Sequence, residues 1–223
     1  MKRNTLLHLL FAVLVIIELA GRFVNKISLE YPVKPLIMIW IAVYFILNRQ
    51  KKDFTVPVLF AFFFSWVGDI LLMLSGKNEL LFYAGVGGFF FAQLFYIYTF
   101  TVYPKSGNKG FVQKHPILIF IFLAYLAGIY GFLFADLDGI MKPVILVYAI
   151  SLIAMSVMAL NRRDRIHYRS FIFVFLGSIL FVISDSMIAI NKFHSELPMA
   201  GFSIMVTYIS AQYLIMRGLI LEK

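Results

Sequence analysis

The chain has no cysteine, which excludes disulfides, thiolate metal sites and a cysteine nucleophile. Charge is scarce: only 14% of the 223 residues are Asp, Glu, Lys or Arg, against 62% hydrophobic and 17% aromatic. That balance leaves no room for a soluble domain and reads as a polytopic membrane protein. The signatures of common hydrolases are missing too. No G-x-S-x-G, HxxxH or HExxH occurs, and His8, His115, His167 and His194 all fall at segment ends or in loops. A three-histidine zinc hydrolase and a serine nucleophile served by a mid-membrane histidine are therefore disfavoured. The sequence implies no metal and no cofactor. Low-complexity tracts and long linkers are absent as well, so residues 1–223 are expected to form a single integral membrane domain.

What is present is a series of apolar segments, at about 5–20, 35–48, 54–74, 79–103, 116–135, 141–160, 170–190 and 199–218. They predict an all-α, eight-helix transmembrane bundle. The second is short for a full crossing and predicts tilt, bundle burial or extension through Lys34 and Pro35. The start resembles a signal peptide, but no small-x-small cleavage site follows and Glu18 interrupts its end, so it is read as an uncleaved first helix. The formal charge of +9 sits in short loops, which points to membrane topology and away from nucleic acid. With the N-terminus inside, inner segments hold Lys2, Arg3, Arg49, Lys51, Lys52, Lys105, Lys109, Lys114, Arg162, Arg163, Arg165, Arg169, Arg217 and Lys223, and outer ones Arg22, Lys26, Lys34, Lys77, Lys142 and Lys192. This bias predicts both termini in the cytoplasm, and the lack of a eukaryotic targeting signal favours a bacterial inner membrane.

Two aspartates interrupt the apolar runs: Asp69 in helix three and Asp185 in helix seven. A carboxylate near the hydrocarbon core costs about 2.5–3.5 kcal/mol on insertion scales, so a chain that keeps two of them has a use for them. The predicted topology puts both, with Glu18, Lys34 and Lys142, toward the outer side. A candidate internal repeat relates them. Lys34-Pro35 answers to Lys142-Pro143, Gly68-Asp69 to Ser184-Asp185, and Ala92-Gln93 to Ala211-Gln212, at offsets of 108, 116 and 119. A four-plus-four duplication about an axis along the membrane normal would bring the aspartates to equivalent positions around a central cavity.

Each of these residues also has a plainer reading. The aspartates could merely lock helices together through a hydroxyl or lysine. Two carboxylates at matched depth suit acid/base work better, one as general acid and the other polarising water. Lys34 and Lys142 could hold a phosphate as point charges, or snorkel to the interface. Gln93 with Tyr96, and Tyr208 with Gln212, make polar patches for substrate contact or for interhelical bonding. Asn161–Arg169 reads as a topology anchor, and the phenylalanine runs as packing or as walls of an acyl-chain tunnel.

Four elements in order resemble the YhhN family, eight-helix membrane proteins that include the animal lysoplasmalogenases. They are Ser65-x-x-Gly68-Asp69-x-x-Leu72-Met73, Phe89-x-x-Ala92-Gln93-x-x-Tyr96, Phe181-x-x-Ser184-Asp185-x-x-Ile188-Ala189 and Thr207-Tyr208-x-x-Ala211-Gln212-x-Leu214-Ile215. One departure stands out: the family commonly has histidine where Gln93 stands. The resemblance implies hydrolysis of the vinyl-ether bond of a lysoplasmalogen-type lysophospholipid, to a fatty aldehyde and a glycerophospho-head group. Asp69 and Asp185 would then be catalytic, Lys34 and Lys142 would hold the phosphate, and Gln93, Tyr208 and Gln212 would position substrate or water. The expected partners are the lysophospholipid and the bilayer. An alternative from another class is a proton-coupled transporter or lipid flippase using the same aspartates; a structural or scaffold membrane protein is a third. Only Gly68 stands beside an aspartate as a helix breaker, and no proline does, which favours the enzyme.

Overall fold

A computed structural model describes residues 2–24, 27–50, 53–104 and 107–222, with the backbone alone for 2 and 27–29. Lys26, Lys51, Lys52, Lys105, Lys223 and the Lys2 side chain, used above to argue topology, lie outside the described residues. The described chain is helical: α1 (Lys2–Phe23), α2 (Ile27–Asn48), α3 (Thr55–Leu74), α4 (Glu79–Val102), the short α5 (Phe111–Lys114), α6 (Ile119–Leu133), α7 (Met141–Asn161), α8 (Tyr168–Phe193) and α9 (Ala200–Ile220). All but α5 belong to eight spans long and apolar enough to cross a membrane. The protein is an integral, multi-pass membrane protein.

The spans fall where the apolar runs place them, with one informative difference. Helix α2 starts at Ile27, well before residue 35, and runs through Pro32 and Pro35. Each proline removes the backbone donor that would bond the carbonyl four residues earlier, a loss that a helix within a bundle tolerates. Trp66 Nε1 of α3 donates to the Pro35 carbonyl at 3.1 Å and ties the two helices together. The extension carries Lys34 into the bundle.

Ion pairs and side-chain bonds mark the two ends. Arg22 meets Glu30 at 2.9 Å, His194 meets Asp136 at 2.7 Å and Lys192 meets Glu79 at 3.4 Å at one end. Lys114 meets Asp164 at 2.7 Å and Arg162 meets Glu222 at the other. These are called here the Arg22 end and the Arg162 end. At the latter, Asn161 Oδ1 accepts from the backbone N–H groups of Val112 and Gln113 at 3.1 and 3.3 Å, docking α5 on the end of α7. Gly110 is required there, because a Cβ would come within 2.2 Å of that oxygen. Arg162, expected as part of a loop anchor, is fully buried, stacks over Phe100 and bonds Glu222. Burial pulls its pKa below the usual guanidinium range, and the Glu222 charge opposes that pull.

Close backbone approach organises the core. Gly88 of α4 lies against the Gly68 backbone of α3, and a Cβ there would sit 3.0 Å from the Gly68 nitrogen. Gly177 and Gly218 bring α8 and α9 together in the same way. Small residues let helices touch where lipid offers no hydrophobic drive to association. Helix neighbours follow the chain, α1 to α4 and α6 to α9, and contacts of α4 with α7 and of α2 with α9 close the ring. Ile37, Ile41, Phe62, Tyr96, Phe181 and Ile215 lie in the shared core. Helices α1 and α6 stand at the margin, with 11% and 6% of their spans buried.

Candidate active site

Both aspartates are buried, at 2% and 5% exposure, and each is held from two neighbouring helices. Asp69 of α3 has the Lys34 ammonium of α2 at 3.6 Å from Oδ1. Its Oδ2 accepts a 2.6 Å hydrogen bond from the Tyr208 hydroxyl of α9. Asp185 of α8 accepts on Oδ2 from the Tyr148 hydroxyl of α7 and from Gln93 Nε2 of α4, the latter at 3.3 Å. No Lys or Arg pairs with Asp185 among the described residues, and its Oδ1 has no hydrogen-bond partner there.

Supporting bonds fix these partners. Ser151, one turn after Tyr148 on α7, donates to Gln93 Oε1 and so orients the amide with its NH2 toward Asp185. Gln212 accepts from Tyr96 at 2.6 Å and donates to Ser65 at 3.0 Å and to the Tyr208 oxygen at 3.4 Å. Helical spacing explains the grouping, since Ser65 and Asp69, and Tyr208 and Gln212, share faces four residues apart. The rings of Phe89, Phe181 and Tyr208 meet edge to face, with centroids 5.7–6.0 Å apart. They join the Asp69 and Asp185 networks through apolar contact, in a geometry aromatic rings favour.

One cavity reaches Asp185 and another reaches Lys34, the partner of Asp69. The first, of about 60 Å³, is lined by Asp185, Tyr148 and mostly apolar side chains of α3, α4, α6, α7 and α8. The second, larger at about 500 Å³ and at the Arg22 end, is lined by Arg22, Glu30, Tyr31, Lys34 and Lys77. Leu72, Phe82 and Ile188 line both, so the two are separated by three apolar side chains.

The residues expected from sequence do not all converge. Asp69, Asp185, Lys34, Gln93, Tyr208 and Gln212 gather here, while the Lys142 ammonium sits 4.2 Å from the Phe134 ring centroid, away from both aspartates. Arg22 and Lys77, counted from sequence only as loop charge, flank Lys34 instead. Glu18 is buried and pairs with Arg22 at 3.3 Å. Tyr148 and Ser151 were missed. Their signal was a polar pair one turn apart in the middle of a mostly apolar helix. Among the described residues no group of three or more His, Asp or Glu is placed to hold a metal ion.

A profile of the YhhN family matches residues 29–219, from α2 through α9. The chain belongs to the YhhN family. It is also 30% identical over 151 residues to the lysoplasmalogenase TMEM86B of Sus scrofa, an alignment covering 68% of this chain and 58% of that protein. The chain thus spans less than two thirds of that relative's length. No solved structure matches. The family match takes in both aspartates and every hydrogen-bond partner named above, and leaves Glu18 and Arg22 of α1 outside.

Proposed function

We propose that this YhhN-family protein is an intramembrane hydrolase that cleaves the vinyl-ether bond of a lysoplasmalogen-type lysophospholipid. The observation that carries the reading is the unlike surroundings of two neighbouring carboxyl groups. Asp69 has a cation and a phenol donor, which suit a carboxylate. Asp185 has no cation, faces an apolar cavity and keeps Oδ1 free of partners. Asp185 is therefore the proton donor and Asp69 the standing negative charge, the division of labour of paired carboxyls in glycosidases.

The chemistry follows. Asp185 gives its proton to the β-carbon of the vinyl ether, and the ether oxygen's lone pair forms the oxocarbenium ion. The Asp69 and newly formed Asp185 carboxylates stabilise that cation. Water adds to the α-carbon and loses a proton back to Asp185, leaving a hemiacetal. Its collapse releases a fatty aldehyde and the glycerophospho-head group, so one water is consumed and no other reactant is needed. Lys34, Arg22 and Lys77 hold the phosphate in the 500 Å³ cavity, and Gln93, Tyr208 and Gln212 keep the pair in register. Matching surroundings support the four-plus-four duplication: Asp69 is held from α2 and α9, Asp185 from α7 and α4. Loop charge supports cytoplasmic termini and an outward-facing head-group cavity.

The test is purified protein in detergent with lysoplasmalogen, following aldehyde release. Wild type releases aldehyde, while Asp69→Asn and Asp185→Asn fold normally and release none. Full turnover in both variants sinks the proposal. Transfer of intact lipid across proteoliposomes without cleavage would favour the transporter.

A further inference from the structure

The Asp185 cavity, about 60 Å³, has room for only a few water molecules and is too small for a lysolipid chain. One of its walls is α6, the least buried of the eight spans. Along that wall a second space of about 430 Å³ runs between α6, α7 and α8, lined by apolar residues including Phe122, Leu160, Phe175, Ile179 and Ile183. Tyr125 and Ile153 line both this cleft and the Asp185 cavity. At their junction the Tyr125 hydroxyl of α6 bonds Ser186 of α8 at 2.8 Å, beside Asp185.

We propose that this cleft holds the single hydrocarbon chain of the lysolipid, and that the Tyr125–Ser186 contact is the latch through which the chain is admitted to Asp185. The inference rests on the hydrolase reading and adds the location of the chain. Three spaces lie in sequence along the membrane normal. The cationic cavity is at the Arg22 end, Asp185 lies below it, and the cleft continues toward the Arg162 end. An amphiphile with an anionic head and one long tail has that profile. From Asp185 to Phe175 is ten residues of α8, about 15 Å at 1.5 Å per residue, long enough for most of a fatty chain. The rival lipid-facing groove, between α4 and α7, spans only Tyr83–Phe90 and Pro143–Tyr148. It stays near the Arg22 end and gives a tail no run of that length. Because a tail leaves one hydrocarbon surrounding for another, selection here comes from shape and the position of the bond, with little hydrophobic gain.

A non-hydrolysable 1-alkyl lysophospholipid with a diazirine at the chain terminus tests this directly. Cross-links should map to Phe122, Phe175 or Ile179 and fall when excess unlabelled lysolipid is added. Labelling of Phe90, Val144 or Val147 overturns the proposal, and so does labelling that excess lysolipid does not displace. In turnover, Ile183→Trp should cut the ratio of kcat/KM for hexadecenyl over octenyl lysoplasmalogen by about tenfold, since small misplacement of reacting atoms costs at least that much. An unchanged ratio contradicts it. Displaceable labelling of the cleft in a protein that releases no aldehyde would refute the hydrolysis and leave the cleft assignment standing.

Discussion

Replacing Lys34 with methionine keeps most of the length of the side chain and removes the charge that faces Asp69. The two side chains are 8% and 3% exposed and their charged atoms 3.6 Å apart. At an effective dielectric of about 20 that separation is worth roughly 4–5 kcal/mol before desolvation. Removing one member of a buried pair costs about 3–5 kcal/mol, most of it from the charge left alone. Lys34 borders the 500 Å³ cavity and so retains some access to water, which places the expected loss near the lower bound, about 3 kcal/mol. For a chain of this size that lowers Tm by roughly 6–12 °C. The double variant Lys34→Met with Asp69→Asn removes the orphaned charge while the amide oxygen still accepts from Tyr208. It should recover most of the lost stability, a coupling of about 2 kcal/mol, yet release no aldehyde. Thermal unfolding in detergent and the aldehyde assay read the two effects separately. Additive losses with no coupling would refute the ion pair as the reason Asp69 is tolerated. Full activity in Lys34→Met would refute its part in catalysis.

Tyr148→Phe removes one of the two donors on Asp185 Oδ2; kcat should fall about tenfold or more, the usual worth of a hydrogen bond to the carboxylate that Asp185 becomes as it gives up its proton, with Tm nearly unchanged. Equal kcat in variant and wild type would show that the tyrosine does not orient the acid. Glu222→Ala strips the counter-charge from the fully buried Arg162 and should cost about 3 kcal/mol, seen as a lower Tm. Adding Arg162→Met should restore more than half of it, and a wild-type Tm in the single variant would contradict the burial argument.

The spans were legible because a bilayer crossing requires about 20 apolar residues, a length signal that survives without any knowledge of packing. The aspartates were legible for the converse reason, since their cost makes them visible in such runs. The partners were less so. Lys34 and Lys142 look equivalent in sequence, but α2 begins seven residues before Lys34 and α7 one residue before Lys142. The rise per residue puts Lys34 about 10 Å along its helix and leaves Lys142 at the tip of its own, where it lies on Phe134. The difference comes from α2 continuing through two prolines, a tertiary effect that local propensity opposes. Arg162 misled similarly, since a loop arginine and one buried against a distant glutamate share the same neighbours in sequence. Gln93 was legible as polar, but its link to Asp185 depends on which face of α4 meets α7 and α8, and α4 is apolar nearly all round.

Carbon protonation by a carboxylic acid is the central claim, and solvent isotope reports it. Hydrolysis in deuterium oxide, with the aldehyde trapped by reduction as it forms, should place a single deuterium on the carbon next to the carbonyl carbon. That label should appear with wild type and be lost with aldehyde release in Asp185→Asn. Aldehyde formed without deuterium at that carbon would mean the bond is broken by another chemistry and would contradict the account.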